Sequence, residues 1–145
     1  MTLTERASFS HWTAEIARYG DTDRQGHINN AIFATFLESG RVDLLFDPEK
    51  PLAPDGCSFV IVRLLIEFRA EMHWRGPVEI GTAVLGIGRS SFRVGQGIFQ
   101  DGQCTATGES VLVLMDDNTR RSTPLPEQTR ARLQEMIAPD RISPR

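Results

Sequence analysis

Apolar and polar positions change their spacing twice along this chain. Between Trp12 and Tyr19 the residues Trp12, Ala14 and Ile16 alternate with Thr13, Glu15 and Ala17, a period of two that predicts a first strand. Gly20 ends it and a polar loop follows. From Asn30 to Phe46 the apolar residues Ile32, Phe33, Phe36, Leu37, Gly40 and Leu44 recur at helical spacing. Ala31, Ala34, Val42 and Leu45 carry apolar character further round, which predicts a helix covered on most sides. Asn29 or Asn30 supplies its N-cap, because a short amide accepts from free backbone N–H groups. Asp47-Pro48 stops the helix and "PEKPLAPDG" is a proline-rich loop.

Strands dominate thereafter. "CSFVIVRLLIEFRAEM" is rich in β-branched and aromatic residues and long enough for one bent strand, and "HWRGP" is a turn. "VEIGTAVLGIG" alternates and then shifts register near Gly86. "SSFRVGQGIFQ" follows, Asp101-Gly102 marks a hairpin, and "CTATGESVLVLMDD" is the last strand. "STPLPEQTRARLQEMI" closes with a short amphipathic helix that starts at Pro126 and Glu127. The expected architecture is α+β: one long central helix wrapped by a curved antiparallel sheet of strands in hairpin succession, all within one domain over residues 1–145. A single such layer leaves strand edges open, so edge pairing into a homodimer is expected.

Composition narrows the functional classes. With 145 residues, 40% of them hydrophobic, the chain suits one core. A net charge of −3 argues against nucleic-acid binding. Its cations are almost all arginine, with a loose cluster at Arg120, Arg121, Arg130 and Arg132 that suits a phosphate-bearing small molecule. Cys57 and Cys104 are too few for a disulfide framework or a zinc site and read as reduced core residues. "MTLTERASFSHW" contains Glu5 and Arg6 and no apolar run, so no secretory leader is expected. The longest apolar segment is short and broken by Arg63, so no membrane span is expected and the expected compartment is the cytoplasm.

The candidate chemistry lies in "RYGDTDRQGHINNAIFATFLESGR", residues 18–41. A helix N-terminus offers unpaired N–H groups and a partial positive charge, which suit an anion or a carbonyl oxygen becoming one. Asp23 stands about one turn upstream, placed to attack an activated carbonyl or to take a proton from water. Gly26 permits a sharp turn and close substrate approach. Asp21 sits nearer the first strand and reads as a turn residue. His27 is expected to be neutral at a helix start, with either a structural role or substrate contact. Glu38, in mid-helix, is a second candidate acid, with Arg41 or Arg63 as its partner if it is buried. Asp21 and Asp23 have no further ligands at metal-binding spacing, and no metal is expected. No nucleophile elbow, P-loop or H-E-x-x-H occurs.

Asp21, Asp23, Gly26, His27, Ile28, Asn29 and Asn30 resemble the D-x-D-x-x-G-H-V-N-N signature of hotdog-fold acyl-CoA thioesterases of the 4-hydroxybenzoyl-CoA thioesterase-like group. "GRSSFRV" and "TGESVLVLMD" are similar to that family as well. The resemblance implies hydrolysis of an acyl-CoA to free acid and coenzyme A, with no cofactor beyond the coenzyme A of the substrate. It implies Asp23 as nucleophile or general base and the Asn30 backbone N–H as a holder of the thioester oxygen. It further implies a homodimer or homotetramer with sites between subunits, and Arg89, Ser90 and Ser91 near the coenzyme A. Some relatives carry a histidine where this chain has Asn30; this chain does without it or uses His27. Plant acyl-carrier-protein thioesterases carry an Asn two positions after the acid, where this chain has Gln25. Two other readings stand beside hydrolysis: a hydratase or dehydratase on the same fold, and a binding module for acyl-CoA or acyl-carrier protein without catalysis.

Overall fold

The switch from polar loop to helical spacing becomes helix α1 (Asn30–Leu45) in the computed structural model, which describes residues 2–137. Asn29 is the N-cap, its Oδ1 accepting the Ala31 N–H at 3.0 Å. Asp47 closes the other end, its Oδ1 taking the N–H groups of Glu49 and Lys50 as Pro48 turns the chain away. One face of α1 is buried, through Phe33, Phe36, Leu37, Gly40, Arg41, Leu44 and Leu45. Glu38, Val42 and Asp43 are exposed. The expectation of cover on most sides therefore fails for the single protomer, because the sheet lies on one side of the helix only.

Strands β1 (His11–Ile16), β2 (Cys57–Phe68), β3 (Pro77–Ile87), β4 (Ser91–Gln100) and β5 (Gln103–Asp116) form one antiparallel sheet in the order β1-β3-β4-β5-β2. Asp101 and Gly102, both at positive φ (53° and 79°), make the tight β4–β5 turn. The register of β3 on β4 shifts between Val84 and Gly86, as the interrupted alternation predicts. Hairpin succession holds from β3 to β5 but not for β2. That strand pairs with β5 at the far edge, and the chain then crosses back to begin β3. Alternation marks a strand without naming its partner, so this crossover is invisible to periodicity. Fully buried Met72 and bonds from the Arg69 and Ala70 N–H groups to Thr105 O hold it in place.

Two apolar clusters fill the space between helix and sheet. One joins Phe33, Phe36 and Leu37 to Ile28, Met72 and Ile80. The other joins Leu44 and Leu45 to Leu52, Phe92, Leu112 and Leu133, the last from helix α2 (Glu127–Glu135). Burying each such side chain contributes about 1.5–3 kcal/mol. Contact is close at Gly40 and Gly108, where a Cβ would lie 2.6 Å from Gln96 Nε2 and 2.7 Å from Leu37 Cδ1. A third cluster covers the opposite sheet face, with Trp12 and Phe99 rings 5.5 Å apart beside Phe9. Trp12 thus points away from α1. The helix side of β1 carries His11 and Thr13, which reach Asp43 at 3.2 and 2.8 Å.

The cysteines are free thiols and half-buried rather than core residues. Burial raises both thiol pKa values, and Asp116 and Asp117 add to the effect at Cys57. Among the described residues no helix is long and apolar enough to cross a membrane.

Candidate active site at the start of helix α1

Residues 17–29 form a loop fastened at both ends. Ala17 and Ile28 are buried in the first cluster. Between them Asp21 is almost fully buried and accepts the backbone N–H of Arg18 at 2.9 Å and its Nη2 at 2.8 Å. The Arg18 hydrogen bonds hold its carboxyl below the usual carboxylate range, against the opposing pull of burial. Asp21 O also takes the Asn29 N–H at 2.8 Å, so this acid fixes the approach to the helix.

Asp23 is exposed and differently arranged. A one-pair bridge between Thr22 and Ile28 pinches the loop, and the turn inside it passes through Gly26 at φ 81°. Asp23 Oδ1 accepts the backbone N–H groups of Gln25 at 2.8 Å and His27 at 3.1 Å. Its Oδ2 has no hydrogen-bond partner among the described residues. One oxygen therefore anchors the loop and the other is unengaged among the described residues. Asn29 commits its side chain to Ala31, so the Asn30 N–H keeps no partner among the described residues. Asp23, Gly26 and His27 thus share one turn, and Asn30 opens the helix three residues after His27.

The crossover adds residues that the sequence reading misses. Ile28 N–H donates to Met72 O at 2.7 Å, and His27 bridges to His73. This puts His27 Nε2 3.2 Å from Glu71 Oε2, with His73 Nε2 3.9 Å from the same oxygen. The two imidazoles meet edge to face with centroids 5.2 Å apart. Gln100 clamps the segment by accepting from His73 N and donating to His73 O. "HWRGP" reads locally as a turn; the only available signal is that the chain has three histidines and one of them lies there.

Arg89, Ser90 and Ser91 are not brought to this site within the protomer. They form the β3–β4 turn, tied down by Leu114 N–H to Ser90 O and Leu125 N–H to Arg89 O, both 2.9 Å. Ser91 begins the ten-residue strand that ends at Gln100, about 30 Å away at strand rise. Glu38 is exposed, and no ion pair joins it to Arg41 or Arg63 among the described residues. The cost of burial that called for a partner is therefore absent. Among the described residues no three His, Cys, Asp or Glu side chains are grouped to hold a metal.

Comparison with known proteins gives a consistent picture. The thioesterase-like superfamily matches residues 17–133. A predicted thioesterase from Bacillus stearothermophilus is 31% identical with a TM-score of 0.79, over 88% of this chain and 96% of that one. A thioesterase from Thermus thermophilus, complexed with coenzyme A and Zn, is 29% identical with a TM-score of 0.77, over 87% and 98%. DHNA-CoA thioesterase from Staphylococcus aureus shares the fold at 22% identity and a TM-score of 0.75, over 86% and 90%. No curated protein matches.

Proposed function

The chain belongs to the thioesterase-like superfamily, and from that premise we propose that it hydrolyses an acyl-CoA thioester to the free acid and coenzyme A. The observation that carries this reading is that Asp23 Oδ2, in the loop leading into α1, and the Asn30 N–H, at its start, are both unengaged among the described residues. The coenzyme A in the Thermus thermophilus relative supports the choice of thioester.

Two routes use the same groups. In the first, Asp23 Oδ2 attacks the carbonyl carbon. The oxyanion that forms is met by the Asn30 N–H and the positive end of α1, the C–S bond breaks, and coenzyme A leaves as thiolate. Water then cleaves the Asp23–acyl anhydride, freeing the acid as its carboxylate and restoring that of Asp23, while the two protons pass to the coenzyme A thiolate and to solvent. In the second, Asp23 takes a proton from water as the water oxygen attacks, and that proton passes to the departing thiolate. A preorganised donor at the oxyanion contributes about 10²–10³ in rate.

The reading extends to assembly. Edge strand β2 exposes Ile61, Val62, Leu64, Leu65 and Phe68. A second copy pairing along β2 would satisfy that strand edge and roof the space between it and the open face of α1 without filling it. Coenzyme A crossing between copies then accounts for Arg89, Ser90 and Ser91 as contacts contributed by the other subunit.

One observation favours a hydratase instead: the His27–Glu71 contact at 3.2 Å, a histidine with a partner acid. Thiol release across acyl-CoA chain lengths, run beside crotonyl-CoA hydration, separates the readings. Release of free thiol is expected. Enoyl loss without thiol supports the hydratase, and saturable binding without either reaction supports a binding module.

A further inference from the structure

A cleft of about 380 Å³ runs between the open side of α1 and β2, walled by Ala34, Thr35, Ile61, Val62 and Leu64. Its helical wall continues the stripe that begins at the candidate active site, one to two turns beyond Asn30. At its far end stands Arg41, only 7% exposed. This guanidinium makes one hydrogen bond among the described residues, at 3.4 Å to the neutral amide of Gln96. No carboxylate lies within ion-pair distance of it among the described residues. A buried cation that no acid neutralises is costly, and burial indeed pulls its pKa down while Glu38 only partly opposes the shift.

A second buried polar group, on β5, is left without a partner. Ser110 is 2% exposed and its Oγ has no partner among the described residues. Gly108, Ser110 and Leu112 share the helix-facing side of β5. Leu37 packs on Gly108, and Leu44 joins the cluster containing Leu112. Arg41, between those leucines, reaches Gln96, which pairs with Gly108, two residues before Ser110 on the same side of β5. Across the sheet Ser110 pairs with Leu64, itself a wall of the cleft. Glu38 and Arg63 also line the cleft; both are exposed, and the Glu38 charge acts on Arg41 without reaching ion-pair distance.

We propose that the acyl chain lies in this cleft and that Arg41, with the Ser110 hydroxyl, receives a carboxylate at its distal end, so that the substrate is the thioester of a dicarboxylic acid. The inference rests on the thioesterase reading for the identity of the ligand. Apolar walls suit methylenes, while a planar guanidinium fork matches a carboxylate better than any neutral group. Arg41 lies eleven residues along α1 from Asn30, about 16 Å at helical rise, and its side chain slants back toward the helix start. Several methylenes between thioester and carboxylate fit that span.

The test compares octanoyl-, octanedioyl-, decanoyl- and decanedioyl-CoA on the purified protein and on Arg41→Met. A diacid thioester is expected to exceed its length-matched monoacid at least about tenfold in kcat/KM, through KM. Arg41→Met should abolish that preference, the diacid-to-monoacid ratio of kcat/KM falling to about one within the variant itself. Equal kcat/KM for monoacid and diacid at every length overturns the inference, and needs no variant. Calorimetry with free octanedioate and octanoate reads the cleft without the chemistry. Octanedioate binding that depends on Arg41, in a protein that cleaves no CoA thioester, sinks the thioesterase reading and keeps the anion site. Octanedioate binding unchanged in Arg41→Met overturns the anion site. A change of oligomeric state in Arg41→Met with the diacid preference intact also overturns it, and assigns Arg41 to contact with a second copy.

Discussion

His27 Nε2 lies 3.2 Å from Glu71 Oε2, while the backbone N–H of the same histidine donates to Asp23 at 3.1 Å. The side chain faces the crossover and the main chain faces the candidate acid. His27→Ala keeps the N–H and loses the imidazole. It is expected to retain acyl-CoA turnover within about tenfold, well short of the roughly 10²–10⁴ that removal of an acid–base group costs. A steady-state kcat as low as that of an Asp23 variant would put the imidazole in the chemistry and favour the hydratase reading.

Asp21 and Arg18 set an acid-sensitive fastening. The folded Asp21 pKa lies below the ordinary carboxylate value. Its contribution is therefore fully present above the unfolded value and is lost as pH falls through the folded one. Arg18 is 78% exposed, so its charge is screened and the hydrogen bonds carry most of the effect. Asp21→Asn should cost on the order of 1–2 kcal/mol near neutral pH. Thermal melts should show the gap from the parent narrowing below about pH 4, where free carboxyls protonate. A gap that persists unchanged in acid contradicts the assignment.

Gly26 and Gly20 form an internal control. Gly26 has φ 81°, whereas Gly20 has no such constraint and open space around its Cα. Gly26→Val should lower stability by about 1–3 kcal/mol and lower turnover with it, because the Asp23 turn distorts. Gly20→Ala should change neither. Melts and initial rates on the two variants check the difference, and equal behaviour would mean that the Asp23 turn is not what Gly26 serves.

Leu65 is 41% exposed on the edge strand. If a second copy pairs along β2, Leu65→Lys should shift sedimentation toward monomer while the monomer fold, read by circular dichroism, persists. Turnover should fall with the dimer. A parent protein that sediments as a monomer at micromolar concentration removes the shared-site account of Arg89, Ser90 and Ser91.

The elements legible in the sequence are those whose signal is local. Spacing gives α1, the Asn29 cap is a short amide before an apolar run, and Asp101-Gly102 gives the hairpin. What was not legible depends on distant partners. β2 is apolar on both faces, so nothing in its pattern says that it joins β5 rather than β3. Trp12 belongs to the face away from α1 because Phe9 and Phe99 wait there. Glu71 and His73 reach His27 only through the crossover, and Arg41 is buried only because Gln96 and the sheet meet that turn of the helix.

On the proposed thioesterase reading, the Asp23 carboxylate performs the hydrolysis. Asp23→Asn is the direct test, because the amide oxygen can still accept the Gln25 and His27 N–H groups and leave the turn intact. Thiol release from an acyl-CoA that the parent cleaves should fall by about 10²–10⁴ in kcat, with the melting temperature and acyl-CoA binding nearly unchanged. A folded Asp23→Asn protein that releases thiol at the parental rate contradicts it.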